Sequence, residues 1–297
     1  MKLCLGTVQF GMNYGLNQKK QPPLDYSIKC LDYATQNGIS AIDTAEAYGS
    51  AEQIVGCFLS KQTINRNKLF ISTKMLPNSL DDIRPEQYAN VIKTHLEKSL
   101  RRLQTDYVDA FYFHSSRYAF QPQMIEALKT VKTEGYTRKI GISIYDPEEA
   151  LACADNPYID IIQAPYNVFD HRLKDSNALN ALNQANIAVH VRSAFLQGLI
   201  LMEEDTIPSY LADAKPKIRE IKALCRKVNI TRVALAISYV KRENSIAQLV
   251  FGVHSMDQLK ENITLFDKSV SEDVLAEAEA LLADMPTSVV MPSLWKK

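Results

Sequence analysis

Eight strand-like runs alternate with helix-like segments along the whole chain, and this order restricts the fold more than any other feature. The strand-like runs are almost entirely apolar, as in Ile159-Asp160-Ile161-Ile162, which is typical of parallel strands covered on both faces. Right-handed crossovers curl such a series into a closed barrel. We therefore predict an α/β protein, a (β/α)8 TIM barrel with an appended C-terminal helix over 272–283. The predicted strands are 2–9, 41–45, 68–74, 107–114, 139–143, 159–164, 187–192 and 248–253, and the helices between them are 25–36, 51–59, 85–103, 122–134, 147–154, 175–184, 217–227, 232–241 and 257–266.

An open, doubly wound sheet is the competing fold for the same order of elements. That fold would need a glycine-rich phosphate loop after the first strand. The segment Gly6-Thr7-Val8-Gln9-Phe10-Gly11 lacks the required G-x-G-x-x-G spacing. No linker and no change of composition divides the chain, so we predict a single domain over residues 1–297.

The overall composition argues against several classes of protein. Lys plus Arg and Asp plus Glu each number 34, so we expect no nucleic acid as a partner. No apolar run approaches the roughly 20 residues that span a bilayer, and no signal-peptide pattern is present, so we expect no membrane contact. The five cysteines lack C-x-x-C spacing and indicate buried thiols. We therefore predict a cytoplasmic protein, a monomer or a weak homo-oligomer, whose tail over 289–295 either covers the barrel or binds another subunit.

Four polar side chains stand at or just past the carboxyl ends of three successive predicted strands: Asp43, Tyr48, Lys74 and His114. In a parallel barrel these ends meet at one face, where barrel enzymes place their chemistry. A lysine ammonium beside a tyrosine favours the phenolate and lowers the tyrosine pKa, and an aspartate keeps the ammonium charged. A histidine nearby can orient a carbonyl oxygen or share in the proton transfer. This set suits the protonation of an oxygen on which negative charge develops.

Each of the four residues also has a purely structural interpretation, as a solvated charge, a hydrogen-bonded histidine or a helix cap. Their occurrence together, at strand ends that converge, favours a function. The set contains no nucleophile with an adjacent base and no metal-ligand spacing, so we expect no metal. The electrons for a carbonyl reduction would have to come from a cofactor.

The motif Asp43-Thr44-Ala45-Glu46-Ala47-Tyr48-Gly49, together with Lys74 and His114, resembles the aldo-keto reductases. The similarity runs from Leu5 to Asn262 and includes the segment 99–109 before the fourth strand. The resemblance, to the bacterial type of this family, implies an NADP-dependent oxidoreductase on a (β/α)8 barrel that uses no metal. It also implies roles for the four residues: Tyr48 as general acid, Lys74 and Asp43 as the pair that tunes it, and His114 as the residue that orients the carbonyl.

The resemblance further implies where the nicotinamide is held, and here the chain departs from the family. Ser143 and Gln163 match two residues that bind the carboxamide, but Ile144 replaces an expected asparagine. After the seventh strand the family usually has a tyrosine that stacks on the nicotinamide, and this chain has Arg192. That arginine can stack through its planar guanidinium or bind an acidic substrate, or it can simply pair with a local carboxylate. The remaining residues of this segment that we assign to the cofactor are Ser193, Leu196 and Gly198.

The segment 251–262 resembles the part of the family that binds the adenosine phosphate. Its matching residues are Gly252, His254, Ser255, Gln258 and Asn262. The family often places Lys or Arg here to pair with the 2′-phosphate of NADPH, whereas this chain has His254. The resemblance implies NADPH as the cofactor. Because a histidine is neutral for much of the time at pH 7, discrimination against NADH would be weak, and NAD is therefore a possible cofactor.

The expected substrate is a small carbonyl or sugar-like compound that contacts Tyr14, Tyr48 and His114, with Asn13, Tyr166, Arg192 and the segment 115–120 around the mouth of the site. Reduction of an aldehyde or ketone to an alcohol is the leading interpretation. One alternative is a sugar-modifying barrel enzyme that retains NAD(P) and carries out net non-redox chemistry. Another is a non-catalytic subunit that senses the cofactor.

Overall fold

The computed structural model describes residues 1–16, 20–61 and 65–295. Eight parallel strands form a closed barrel in the order β1 to β8, and helices lie between them, so the predicted fold is confirmed. The strands are β1 Lys2–Gly6, β2 Ala41–Asp43, β3 Phe70–Lys74, β4 Val108–Phe113, β5 Thr137–Ser143, β6 Ile161–Pro165, β7 Ala188–Arg192 and β8 Ile246–Gly252. The α-helices are α1 Val8–Gly11, α2 Leu24–Gln36, α3 Ala51–Leu59, α4 Tyr88–Leu103, α5 Pro122–Thr133, α6 Pro147–Ala154, α7 Arg172–Asp175, α8 Ala178–Gln184, α9 Ala214–Lys227, α10 Arg232–Lys241, α11 Met256–Phe266, α12 Glu272–Leu282 and α13 Thr287–Val290. Short 3₁₀ turns occupy Arg66–Lys68, Pro85–Gln87, Ser116–Phe120, Leu196–Leu201, Glu204–Thr206, Ser209–Leu211 and Pro292–Leu294.

The observed element bounds differ from the predicted ones mainly at the loops. The first strand ends at Gly6 instead of continuing to position 9, because α1 adds one helical turn there. The helix predicted over 175–184 is two short helices, α7 and α8, separated at Asn177, whose φ of 63° lies in the left-handed region. The start of α6 is as expected: Asp146 caps it and forms a capping box with Glu149.

Alternation along the strands divides the core into two parts. Outward-facing residues such as Leu5, Ile42 and Phe111 are fully buried against the helices. Inward-facing residues form small apolar clusters inside the barrel, one of them around Tyr112. Above these clusters, towards the carboxyl ends of the strands, the interior becomes polar. The predicted catalytic residues Asp43 and Lys74 are buried in this polar layer.

The C-terminal tail folds back against the barrel. The Trp295 side chain is 7% exposed, and its Nε1 donates a hydrogen bond of 3.0 Å to the Val289 carbonyl oxygen. Pro292 and Ser293 reach the rim of the central cavity. The tail therefore covers the barrel, which is one of its two expected positions, and binding of the tail to another subunit stays a prediction.

All five cysteines are free thiols, as predicted, although Cys57 is only partly buried. No helix in the described ranges has the length and apolar character that crossing a membrane requires.

Candidate active site

A cavity of about 730 Å³ opens at the carboxyl ends of the strands. A second depression, of about 520 Å³, lies on the surface and is lined by charged residues that largely pair with one another, such as Glu204 with Arg219. Of these two, the first reaches the barrel interior between the described residues, so it is the candidate site. The predicted residues that line it are Asp43, Tyr48, His114, Tyr14, Gln163, Arg192, Ser193, Gly198, Gly252, His254, Gln258 and Asn262, whereas Lys74, Ser143, Leu196 and Ser255 are not part of its lining.

Asp43 and Lys74 form a buried ion pair below the cavity. The Lys74 Nζ lies 2.6 Å from Asp43 Oδ2 and donates a second hydrogen bond, of 3.0 Å, to the Thr44 carbonyl oxygen. The other Asp43 oxygen, Oδ1, accepts hydrogen bonds from Ser72 Oγ and Gln163 Nε2, both at 2.8 Å. The carboxylate therefore has three side-chain donors and remains the acceptor that keeps the ammonium in place.

Tyr48 lies above this pair. The Lys74 Nζ is 5.2 Å from the centre of the Tyr48 ring. Burial raises the pKa of Tyr48 above its usual value of 10, the Asp43 charge raises it further, and the Arg192 charge lowers it. We expected Lys74 to lower this pKa, and the net direction in the structure is the opposite, because burial of the phenol and the nearby Asp43 charge both favour the protonated form. Tyr48 is therefore a protonated phenol and can act as a proton donor.

His114 faces the same phenol. The two rings meet edge to face, with centroids 5.8 Å apart and an interplanar angle of 80°. Burial lowers the pKa of His114 to about 3, and the charges of Lys74 and Arg192 act in the same direction. Its Nδ1 is buried and has no hydrogen-bond partner within the described ranges. A neutral imidazole in this position can orient a polar ligand through one hydrogen bond.

The backbone around Tyr48 is fixed by close packing of two glycines. A Cβ at Gly11 would lie 1.8 Å from the Tyr48 carbonyl oxygen, so this approach requires glycine. Gly49 follows with a φ of +57°. The Tyr48 amide donates to the Ala45 carbonyl oxygen at 3.0 Å. The loop that carries the tyrosine is thus held against α1. We call Asp43, Tyr48, Lys74 and His114, the four predicted catalytic residues, the catalytic cluster.

Gln163 links the catalytic cluster to the part of the cavity where a cofactor was expected. Its Nε2 is bound to Asp43, but its Oε1 is buried without a partner among the residues described. Gln9, which the sequence analysis did not single out, has an Oε1 in the same condition and packs against Gly252. Ser143 is 1% exposed, and Ile144 is fully buried. The predicted position of Gln9 at the end of the first strand was the signal that could have identified it.

The loop after β7 forms part of the cavity wall in a conformation that L-residues rarely adopt. Positive φ angles occur at Ser193 (67°), Leu196 (44°), Gln197 (53°) and Gly198 (96°). Leu196 is fully buried and anchors the loop, while Phe195 and Gln197 line the cavity although neither was predicted. Backbone strain of this kind persists where the surrounding structure holds it in place, and it is common at functional sites.

The segment after β8 forms the adjoining part of the wall, and its polar side chains cap α11. The Ser255 Oγ accepts a hydrogen bond from the Gln258 amide at 3.3 Å, and the His254 amide donates to Gln258 Oε1 at 2.8 Å. Asn262 is 5% exposed and lies one turn further along α11. We call the segments 192–198 and 252–262 together the loop wall.

The mouth of the cavity differs from the expectation in its aromatic residues. Tyr14 lines the cavity, and burial raises its pKa to about 12. Tyr166 does not line it: the side chain is fully buried, stacks on Tyr239 with centroids 5.7 Å apart and donates to Glu243 Oε1 at 3.1 Å. Asn13 and the segment 115–120 are likewise absent from the lining. Tyr145 lines the cavity instead, although Tyr166 was the tyrosine expected at its mouth.

Comparison with known proteins gives a consistent family. The sequence profile of the Aldo/keto reductase family matches residues 2–283. The "Protein tas" of Escherichia coli (strain K12) is 29% identical, over 94% of this chain and 93% of its own length. The NADH-specific methylglyoxal reductase of the same organism is 26% identical, over 82% of this chain and 84% of its own.

A solved structure agrees with the fold. The holo form of the aldo-keto reductase AKR11C1 from Bacillus halodurans superimposes with a TM-score of 0.76, at 23% identity, over 99% of this chain and 94% of that one. At this identity the likeness concerns the fold alone, while the profile covers nearly the whole sequence. The chain therefore belongs to the aldo/keto reductase family.

Proposed function

We propose that this protein reduces an aldehyde or ketone to an alcohol with a nicotinamide dinucleotide as electron donor and Tyr48 as general acid. The observation that carries the proposal is the catalytic cluster itself. A protonated phenol and a neutral imidazole face one cavity, and the Asp43–Lys74 pair lies directly behind the phenol. The family to which the chain belongs supports the same reaction type.

Each member of the cluster has a distinct task in this proposal. His114 donates a hydrogen bond to the carbonyl oxygen and orients it towards Tyr48. Tyr48 transfers its phenolic proton to that oxygen as negative charge develops there. The phenolate that remains is stabilised by the Lys74 ammonium, 5.2 Å from the ring. Asp43 holds the ammonium in place through the 2.6 Å ion pair.

The residues around the cavity fit a nicotinamide dinucleotide, which supplies the hydride when it is bound. The buried and unpartnered Oε1 of Gln163, within the described part of the chain, suits the amide N–H of a carboxamide, and Ser143 on the neighbouring strand β5 is its predicted companion. The loop wall would hold the rest of the dinucleotide. We propose NADPH as the dinucleotide. NADH is the second candidate, because the negatively charged Glu203 and Glu261 line the cavity beside His254 and would repel a 2′-phosphate.

The expected substrate is a small polar carbonyl compound. Tyr14, Tyr145 and Arg192 give the cavity near Tyr48 a polar and aromatic surface. One relative, the methylglyoxal reductase, is named for a small carbonyl substrate of this kind.

Replacement of Tyr48 by Phe tests the assignment of the acid. We expect kcat to fall by about 10²–10⁴-fold, because the proton donor is lost while the ring is kept. Fluorescence titration should show unchanged binding of the dinucleotide. Tyr145→Phe removes a hydroxyl from the same cavity without touching the cluster, and it serves as the matched control with a much smaller effect. An unaltered rate in the Tyr48 variant would disprove the role of Tyr48.

The alternative with retained NAD(P) and net non-redox chemistry is favoured by Arg192 and Ile144, where the chain departs from the family pattern. In that case the purified protein would carry tightly held dinucleotide and turn over a sugar without steady consumption of NADPH. The wild type and Tyr48→Phe are then compared by their rates of sugar conversion instead of their rates of cofactor oxidation. The intact catalytic cluster is the reason to place the non-catalytic subunit last.

A further inference from the structure

Arg192 differs from the other half-buried arginines in the charge that surrounds it. Six arginines in the described ranges are half-buried. Five of them form an ion pair with a carboxylate: Arg66, Arg102, Arg172, Arg232 and Arg242. Arg192 forms none with any carboxylate of residues 1–16, 20–61 or 65–295. Removing a cation from water is costly when nothing neutralises it, so the arrangement points to an anion from outside the chain.

The guanidinium of Arg192 is nevertheless held in a fixed position. It stacks on the Tyr145 ring, with Cζ 4.5 Å from the ring centroid. Its Nη2 donates to the Ile144 carbonyl oxygen at 3.1 Å, and its Nη1 donates to Ser193 Oγ at 3.4 Å. A guanidinium has five N–H groups, so three remain for a ligand. A fork that is already oriented loses little entropy when it binds a planar or tetrahedral anion.

The position of the guanidinium relates it to the carbonyl end of the site. Arg192 is the last residue of β7 and points inwards, two residues after the inward-facing His190. It lines the same cavity as Tyr48, His114 and Tyr14. Its charge lowers the pKa of each of these three side chains, which is consistent with a location close to all of them.

We propose that Arg192 binds an anionic group, a carboxylate or a phosphate, of the carbonyl substrate. The proposal rests on the proposed function, because it places this anion beside a carbonyl that Tyr48 protonates. Bidentate contacts from a guanidinium suit both anions, and they are stronger than neutral hydrogen bonds. The physiological substrate would then be an aldehyde acid, an oxo acid or a phosphorylated carbonyl compound.

An anionic substrate also removes an uncompensated positive charge from the site. A bound nicotinamide dinucleotide would supply the hydride, and an unpaired guanidinium nearby would oppose any positive charge that develops there. A carboxylate or phosphate bound to Arg192 neutralises the guanidinium. The electron pair and the proton still reach the substrate from the dinucleotide and from Tyr48, so the balance of the reaction is unchanged.

The test compares paired substrates that differ in one charge. Specificity constants (kcat/KM) are measured for para-carboxybenzaldehyde against its methyl ester, and for phosphorylated glyceraldehyde against glyceraldehyde. We expect the wild-type protein to prefer at least one charged member by about tenfold or more. The substrate pair with the larger charged-to-neutral ratio of kcat/KM shows whether Arg192 prefers a carboxylate or a phosphate. In Arg192→Gln this ratio should fall to near one, and in Arg192→Lys it should be intermediate, because a lysine keeps the charge without the fork.

Two further measurements separate the possible failures. Arg84→Gln changes an exposed arginine outside the cavity and should leave the charged-to-neutral ratio as in the wild type. Calorimetric titration with benzoate and with inorganic phosphate detects anion binding without any turnover. Binding that depends on Arg192 would support the anion site even if no aldehyde were reduced, in which case the proposed function fails alone.

The opposite results would overturn the anion site. Efficient reduction of both aldehydes without a charge preference would leave the proposed function intact and remove the role of Arg192. If Arg192→Gln instead weakens binding of the dinucleotide and slows both members of a pair equally, the guanidinium serves the cofactor. If neither anion binds and no aldehyde is reduced, both proposals fail.

Discussion

The catalytic cluster and the loop wall enclose the same cavity but are constructed on different principles. In the cluster, residues at strand ends satisfy one another: Asp43 neutralises Lys74, and Ser72 and Gln163 occupy the remaining carboxylate oxygen. In the loop wall, backbone torsions are strained and Arg192 has no carboxylate partner in the described structure. In the proposed function, the barrel thus fixes the chemistry through paired groups on rigid strands, while the loop after β7 offers the Arg192 guanidinium to a ligand.

The largest effect should follow from breaking the internal pairing of the cluster. Asp43→Ala removes the acceptor of three side-chain hydrogen bonds and leaves Lys74 buried without its counter-charge. We expect the free energy of unfolding to fall by about 3–5 kcal/mol, measured by urea denaturation. The double variant Asp43→Ala/Lys74→Met should recover part of this loss, because the stranded charge is gone.

An exposed ion pair provides the control for this prediction. Glu204 pairs with Arg219 at the surface, where solvent screens the interaction, so Glu204→Ala should leave stability unchanged within error. If Asp43→Ala were as stable as Glu204→Ala, the contrast between a self-sufficient cluster and an open loop wall would be wrong.

The elements that follow from local chemistry were predictable from the sequence. The order of eight strands and helices gave the barrel, and Asp43, Tyr48 and His114 were expected to share one cavity because parallel strands converge. The capping residue Asp146 is likewise local, because it bonds to backbone groups within its own turn. In each case the signal lies within a few residues or follows from the symmetry of the barrel.

Other features depend on contacts between distant segments and left no local signal. The pKa of Tyr48 was expected to be lowered by Lys74, but burial and Asp43 raise it. Tyr166 was placed at the mouth, yet it is buried against Tyr239, because inward and outward positions after a strand end depend on the path of the loop. The return of Pro292 and Ser293 to the cavity rim could not be predicted, since it depends on the packing of Trp295.

A smaller effect should appear inside the barrel when the pH is lowered. His190 is 3% exposed, lies 3.3 Å from the Tyr112 hydroxyl, and has a pKa lowered by burial to about 3. Below pH 6.5, the ordinary pKa of histidine, His190 is protonated in the unfolded chain but stays neutral in the folded protein. Stability is therefore lost as the pH falls from about 6.5 towards 3, by about 1.4 kcal/mol per pH unit for such a histidine.

This acid sensitivity is measured by urea denaturation at pH 7 and pH 5. The wild type should lose about 2 kcal/mol more than His190→Gln over this interval, because the variant has no such titration at that position. His171→Gln is the control, since His171 bonds to the exposed Asp175 and lies outside the barrel interior. Equal acid losses in the wild type and His190→Gln would show that His190 is not held neutral in the folded protein.

The smallest effect concerns the loop wall and the choice between NADPH and NADH. If His254 faces the 2′-phosphate, as its place after β8 suggests, a protonated imidazole adds attraction to NADPH and none to NADH. A partly exposed pair is worth about 0.2–1 kcal/mol, so the ratio of the two affinities should fall up to about fivefold between pH 6 and pH 8. Fluorescence titrations of both dinucleotides measure this ratio.

Because the phosphate also titrates near pH 6, His254→Gln is the necessary reference: a ratio that varies equally in both proteins removes His254 from this role. Since Glu203 and Glu261 line the same cavity, NADH can be preferred throughout, and only the slope with pH reports on His254.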